Sequence, residues 1–172
     1  MKKIAISNQK GGVGKTTTTI NLAASSGLLD KKVLMIDMDP QGNTTTGLGV
    51  DKGEIDTCVY DVLLGKKTLK DVIYKTEFKN ISLVPAKIHL SGIDIELSQI
   101  PGRELIIKKA LQEVENDYDY IIFDCPPSLG LLTLNALAAA KTVMVPIQAE
   151  YYALEGVSQL LNTIRLAQRH LN

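Results

Sequence analysis

Several features that specialised proteins depend on are scarce in this sequence. Its two cysteines, Cys58 and Cys125, lie far apart and form no CxxC pair. That pattern supplies no zinc site, no iron–sulfur cradle and no disulfide framework, and it suits a reducing cytosol. The two histidines, His89 and His170, stand without Asp, Cys or His at ligand spacing and are expected on helix surfaces. Net charge is also missing, since 19 Lys and Arg balance 19 Asp and Glu across 172 residues. The balance removes any global pull toward nucleic acid or an anionic membrane and argues against a dedicated basic nucleic-acid module. No apolar run reaches the length of a membrane-spanning helix. The run behind Lys2 and Lys3 is too short for a signal peptide. Internal repeats, linkers and low-complexity tracts are absent as well. The expectation is a cytoplasmic chain with no membrane association and one substantial core.

What is present is a regular alternation. Short apolar runs at residues 3–8, 33–38, 81–84, 120–123 and 142–145 read as strands. They are continuous rather than alternating, as in a parallel sheet covered on both faces. Helical stretches are expected at 15–28, 103–115, 131–140 and 154–171. In the last of these, Leu154, Val157, Leu160, Leu161, Ile164 and Leu171 fall near one stripe. Strands alternating with helices argue for an α/β doubly wound fold. The polar stretch 41–57, rich in Gly and Thr, reads as a loop directly after a strand end, where ligands bind in open α/β sheets. Residues 66–79 carry Lys66, Lys67, Lys70, Lys75 and Lys79 against Asp71 and Glu77, and are expected to form a solvated helix face.

The densest chemical signal is Lys10-Gly11-Gly12-Val13-Gly14-Lys15-Thr16-Thr17, set between the first strand and the first helix. Glycines allow backbone N–H groups to turn inward around phosphate oxygens. The helix N-terminus adds unsatisfied donors and a favourable dipole. Lys15 can supply a point charge to the terminal phosphates, and the Thr16 hydroxyl is placed for magnesium. The pattern GxxxxGK[ST] is not met, because Gln9 stands where its first glycine would be and a second lysine, Lys10, precedes the glycines.

Three acids complete the constellation. Asp37 and Asp39 end the second strand two residues apart, so both project to the same face. Asp124 follows the run 120–123 in the layout of a Walker-B aspartate, which can hold a water of a magnesium shell. Pro126-Pro127 then redirects the chain.

These motifs carry a family resemblance. KGGVGKTTT at 10–18, with its leading lysine, resembles the deviant Walker-A ATPases. IDMDPQGN at 36–43, DCPPSLG at 124–130, PAKIHLSGIDIEL at 85–97 and Gly102-Arg103-Glu104 are similar to the ParA/Soj branch, the partition ATPases. The resemblance runs the length of the chain. It implies a mostly parallel P-loop NTPase sheet, ATP and Mg2+ as cofactors, and slow, partner-stimulated hydrolysis. It implies that Asp39 orients or polarises the attacking water, with Asp37 beside it a partner for magnesium or for the loop. It also implies a homodimer on ATP binding, in which Lys10 reaches the other subunit's phosphates. A ParB-like partner and a role in plasmid or chromosome segregation follow from the same source. Full-length members continue beyond the place where this chain ends, so residues 1–172 are expected to form a single P-loop ATPase domain lacking the usual C-terminal part. Nonspecific DNA binding, a property of that full-length family, is not carried over to a chain of zero net charge. The alternatives are a MinD-like membrane-surface regulator, which would end in a basic amphipathic helix, and a module that binds nucleotide without turning it over.

Overall fold

The structure is a computed structural model that describes residues 1–149 and 153–171, with side chains described for 1–149 and 157–171. Six strands form one sheet: β1 (Lys2–Ile6), β2 (Val33–Asp37), β3 (Tyr74–Lys75), β4 (Ile81–Val84), β5 (Tyr120–Asp124) and β6 (Thr142–Met144). Their order is β3-β4-β2-β5-β1-β6. All pairs are parallel except the short β3, which runs antiparallel to β4.

The central strands are buried on both faces, the edge strands β3 and β6 are not, and the side chains sort by the two-residue period of extended chain. Ala5, Leu34, Ile36, Ile121 and Phe123 face one core cluster. Ile4, Ile6, Val33, Met35 and Ile122 face the other. The second cluster is roofed by α1 (Lys15–Leu28). Its small residues let it lie close: a Cβ on Gly27 would sit 2.5 Å from the Lys79 carbonyl oxygen. The first cluster is covered by α3 (Val59–Leu63), α4 (Ile93–Glu96), α5 (Ile106–Ala110), α6 (Leu131–Ala139) and α7 (Ala153–His170). A five-residue helix, α2 (Asn43–Gly47), sits at the carboxyl ends of the strands. The architecture is therefore the doubly wound, mostly parallel α/β sheet expected from the alternation.

Some expectations need correction. Residues 103–115 are not one helix: α5 is flanked by 3-10 turns at Arg103–Leu105 and Leu111–Glu113. Asn135 explains part of the break. From α6 its side chain accepts from the Ile107 N–H and donates to the Arg103 carbonyl, so a tertiary partner occupies groups a continuous helix would pair. The stretch 41–57 contains α2 and is not loop throughout. Residues 66–79 are solvated lysines on a turn, a 3-10 segment (Lys70–Val72) and β3, not on a helix face. The histidines are on helix surfaces as expected, His89 on a 3-10 helix edge-on to Tyr60 and His170 at the end of α7. In α7, Leu160 and Ala167 are buried while Leu161 is exposed, which shifts the stripe expected there. The Leu154 side chain of that stripe lies outside the described residues.

Candidate nucleotide-binding site

The sheet order decides what meets at the site. β5 is inserted between β1 and β2, so the strand carrying Asp124 touches both the strand leading into the glycine loop and the strand carrying Asp37. In register, Asp124 is paired with Ile6 on one side and with Asp37 on the other.

The glycine loop, residues 10–17, runs from β1 into α1. Gly12 and Gly14 adopt φ of 75° and 88°, the left-handed region that a side chain resists. A Cβ on Gly11, Gly12 or Gly14 would meet nothing within 4 Å, so the glycines border open space. Val13 between them is buried and anchors the loop. The first turn of α1 holds no acidic residue, leaving its N–H groups and dipole available to an anion. Lys15 is buried, and its Nζ donates to the Lys10 carbonyl at 3.2 Å, curled along the loop it would serve. Asn8 braces the loop from behind, accepting from the Lys10 N–H and donating to the Pro146 carbonyl at 2.7 Å. Gln148 donates to the Gly12 carbonyl. The Thr17 side chain is exposed, and its carbonyl accepts from the Asn21 side chain.

Below the loop lies a network of hydroxyls and carboxylates. Asp124 is buried and accepts from Thr16 Oγ1 at 2.8 Å and Thr44 Oγ1 at 2.6 Å, both on Oδ2, and from Thr19 Oγ1 on Oδ1. Burial pushes its pKa above the ordinary carboxylate range, against the pull of the Thr44 and Thr16 donors. Asp37 is fully buried as well. Its Oδ2 accepts from the Thr45 N–H and hydroxyl, and its Oδ1 from the Asp39 N–H. Burial first, and the charge of Asp124 second, push Asp37 up to about 7. Asp39 is half-buried at the mouth and accepts from the Gln41 N–H at 2.9 Å.

The sequence picked out the glycine loop, Asp37, Asp39 and Asp124, and the structure places all of them at one end of the sheet. It did not pick out Thr19, Thr44, Thr45 or Asn8. The threonine run after Gln41 was the available signal, though it reads as loop because threonine is a poor helix former. The donor set suits a hard cation held with phosphate and water: a hydroxyl and a carboxylate joined beneath an open cradle. Among the described residues no group of three or more His, Cys, Asp or Glu could hold a metal by itself. No described helix is long and apolar enough to cross a membrane.

Comparison with known proteins gives a consistent answer. A family profile described as an AAA domain matches residues 1–172. The sporulation initiation inhibitor protein Soj of Bacillus subtilis is 56% identical over 99% of this chain, which spans 68% of that protein. The chromosome partitioning protein ParA of Myxococcus xanthus is 52% identical over 98% of this chain, which spans 60% of it. Among solved structures, cobyrinic acid a,c-diamide synthase from Mycobacterium smegmatis with bound ATP analogue and magnesium superposes with a TM-score of 0.95. That alignment has 42% identity and covers 100% of this chain and 70% of the other. With its leading-lysine glycine loop, its inserted β5 and these relatives, the chain belongs to the ParA/Soj family of P-loop ATPases.

Proposed function

We propose that this chain binds Mg-ATP through residues 10–17 and hydrolyses it as the nucleotide-handling part of a partition ATPase. The observation that carries this reading is the 2.8 Å contact between Thr16 Oγ1 and Asp124 Oδ2 under an open glycine cradle. Bound magnesium would neutralise phosphate charge as it shifts during transfer. The chain's own residues do the rest. The N–H groups of residues 11–17 hold the phosphates, with Lys15 turning from the Lys10 carbonyl to the anion. Thr16 and Asp124 would hold the cation, the first by its hydroxyl and the second through water. Asp39, at the mouth, orients the attacking water. For Asp37 the sequence left two roles open, magnesium or the loop. Its oxygens accept from Thr45 and the Asp39 N–H, whereas Asp124 accepts from Thr16 of the glycine loop, so we assign Asp37 to holding the Asp39 loop.

Lys10 supplies positive charge to the phosphates of a second subunit, in the manner of an arginine finger. On this reading ATP joins two copies, a ParB-like protein stimulates hydrolysis, and the cycle serves segregation of plasmid or chromosomal DNA. The relatives named as Soj and ParA support the partition role, and the Mycobacterium smegmatis structure with its ATP analogue and magnesium supports the binding of Mg-ATP. Against the membrane-surface alternative, α7 packs Leu160 and Ala167 into the core.

The test is ATP-dependent dimerisation by sedimentation velocity, run with equilibrium nucleotide binding and phosphate release. Wild type should bind, dimerise and turn over slowly. Lys10→Ala should bind but neither dimerise nor turn over at the wild-type rate. A wild-type chain that hydrolyses ATP as a monomer, with Lys10→Ala unaffected, would overturn the dimer-dependent mechanism.

A further inference from the structure

Two successive threonines of α2 reach two different carboxylates. Adjacent residues on a helix project about 100° apart, and here that divergence spans β5 and β2. Thr44 Oγ1 donates to Asp124 Oδ2 at 2.6 Å, the oxygen that also accepts from Thr16 Oγ1 at 2.8 Å. Thr45 Oγ1 donates to Asp37 Oδ2 at 2.7 Å and accepts from the Ala86 N–H at 3.0 Å. Asp37 in turn accepts from the Asp39 N–H. Both threonine side chains are fully buried. The helix is set in place by Gly42, whose φ is 62° and whose Cβ, if present, would meet the Ala86 carbonyl oxygen at 2.9 Å.

From this we infer that Thr44 is a positioning residue that couples the magnesium site to the loop carrying Asp39. The inference rests on the reading of Thr16 and Asp124 as that site. Two hydroxyl donors on one carboxylate oxygen fix the rotation of Asp124. One belongs to the phosphate loop and the other to the short helix whose next residue holds Asp37 and, through it, the Asp39 N–H. Any change in how Asp124 is engaged is therefore felt at α2 and passed to Asp39. Thr45 anchors the far side of the helix to β2 and to Ala86, so the helix is tethered at two points and Thr44 is the one bound to Asp124. A purely structural hydroxyl would stabilise the fold equally in every ligand state. A coupling hydroxyl instead alters the response to magnesium while leaving metal-free binding alone.

The experiment uses the full chain with a fluorescent ATP analogue, as wild type, Thr44→Val and Thr44→Ser. Affinity is measured in EDTA and across a magnesium titration, and amide hydrogen exchange over residues 39–47 is followed at saturating analogue with and without magnesium. Wild type should show slower exchange over 39–47 when magnesium is added. Thr44→Val should need roughly tenfold more magnesium for half-saturation, as removal of groups supporting a metal ligand does. It should also lose most of the exchange response, with affinity in EDTA within about twofold of wild type, the coupling being absent there by this argument. Thr44→Ser should restore both. Thr44→Ala, equally without the hydroxyl, replaces Thr44→Val if the valine variant does not fold. An unchanged magnesium midpoint in the hydroxyl-free variant overturns the proposal, as does a serine variant that behaves like valine. A wild type that binds the analogue with no magnesium effect overturns instead the metal-site reading beneath it.

Discussion

Asp37 and Asp124 stand directly opposite each other in the parallel register of β2 and β5, both buried at the carboxyl end of the sheet. Two carboxylates in that arrangement cannot both ionise cheaply. Burial raises both, and with the charge of Asp124 added Asp37 is pushed up to about 7 from an ordinary 3.8.

The consequence is a stability that falls as pH rises in metal-free protein. Below pH 3.8, the ordinary value, Asp37 is protonated in both folded and unfolded chains and contributes no penalty. Between that value and about 7 the folded state keeps a proton that the unfolded state has released, so stability declines across this window. A shift of that size corresponds to at most about 4 kcal/mol. Denaturant midpoints in EDTA between pH 5 and 7.5, a range chosen to lie mostly inside that roughly 4-to-7 window, should drop accordingly. Asp124→Asn keeps an acceptor for Thr16 and Thr44 but removes the like charge, and should move the decline toward acid. A wild-type midpoint independent of pH would contradict this assignment.

Lys15 and Asp39 should separate binding from turnover. Lys15→Ala removes the buried cation of the loop and is expected to abolish nucleotide binding in calorimetry. Asp39→Ala leaves the cradle intact, so affinity should hold while phosphate release falls by roughly a hundredfold or more, as loss of a water-positioning or transition-state group does. Undiminished release by Asp39→Ala would remove it from the catalytic set.

Both thiols are expected to be inert in the folded protein. Burial raises the pKa of Cys125 well above the usual thiol range and also raises that of Cys58, and both side chains are buried. Reaction needs the thiolate and access to it. Ellman's reagent should therefore label neither cysteine at pH 8, close to the ordinary thiol value of about 8.5, until denaturant unfolds the chain, when both should react.

Gly27→Ala should destabilise, although it replaces glycine in a helix. Propensity alone would give a gain of about 1 kcal/mol. The new Cβ would lie 2.5 Å from the Lys79 carbonyl oxygen, a backbone atom that cannot swing away. Forcing α1 off the sheet should cost about 1–3 kcal/mol net. Thermal unfolding checks the sign, and a raised melting temperature would show that the Phe78–Asn80 turn yields freely.

The parts legible in the sequence were those with local causes. Residues 81–84 and 15–28 were placed with the boundaries the structure shows, because apolar runs and the glycine loop mark them. β3 was missed because its two residues are too short for any period to register. α2 was missed because Asn43-Thr44-Thr45-Thr46-Gly47 has little helical tendency. Its buried threonines are paid for by carboxylates about 80 residues further along and on the preceding strand. The segment at 103–115 failed for the related reason that Asn135 intervenes. The site was legible as a list of residues, but the threonines linking them required the sheet order.

That order has a bearing on how the protein is made. Thr16 and Asp124, whose contact defines the candidate metal site, are separated by 108 positions along the chain. β1 and β2 emerge early during synthesis but have no mutual hydrogen bonds, because β5 fills the gap between them. A nascent chain that has not yet released β5 can form the glycine loop's turn but has no Asp124 beneath it. Closing so long a loop is a slow, entropically costly event. The Thr16–Asp124 contact is thereby formed only in chains that have released β5 and closed the centre of the sheet.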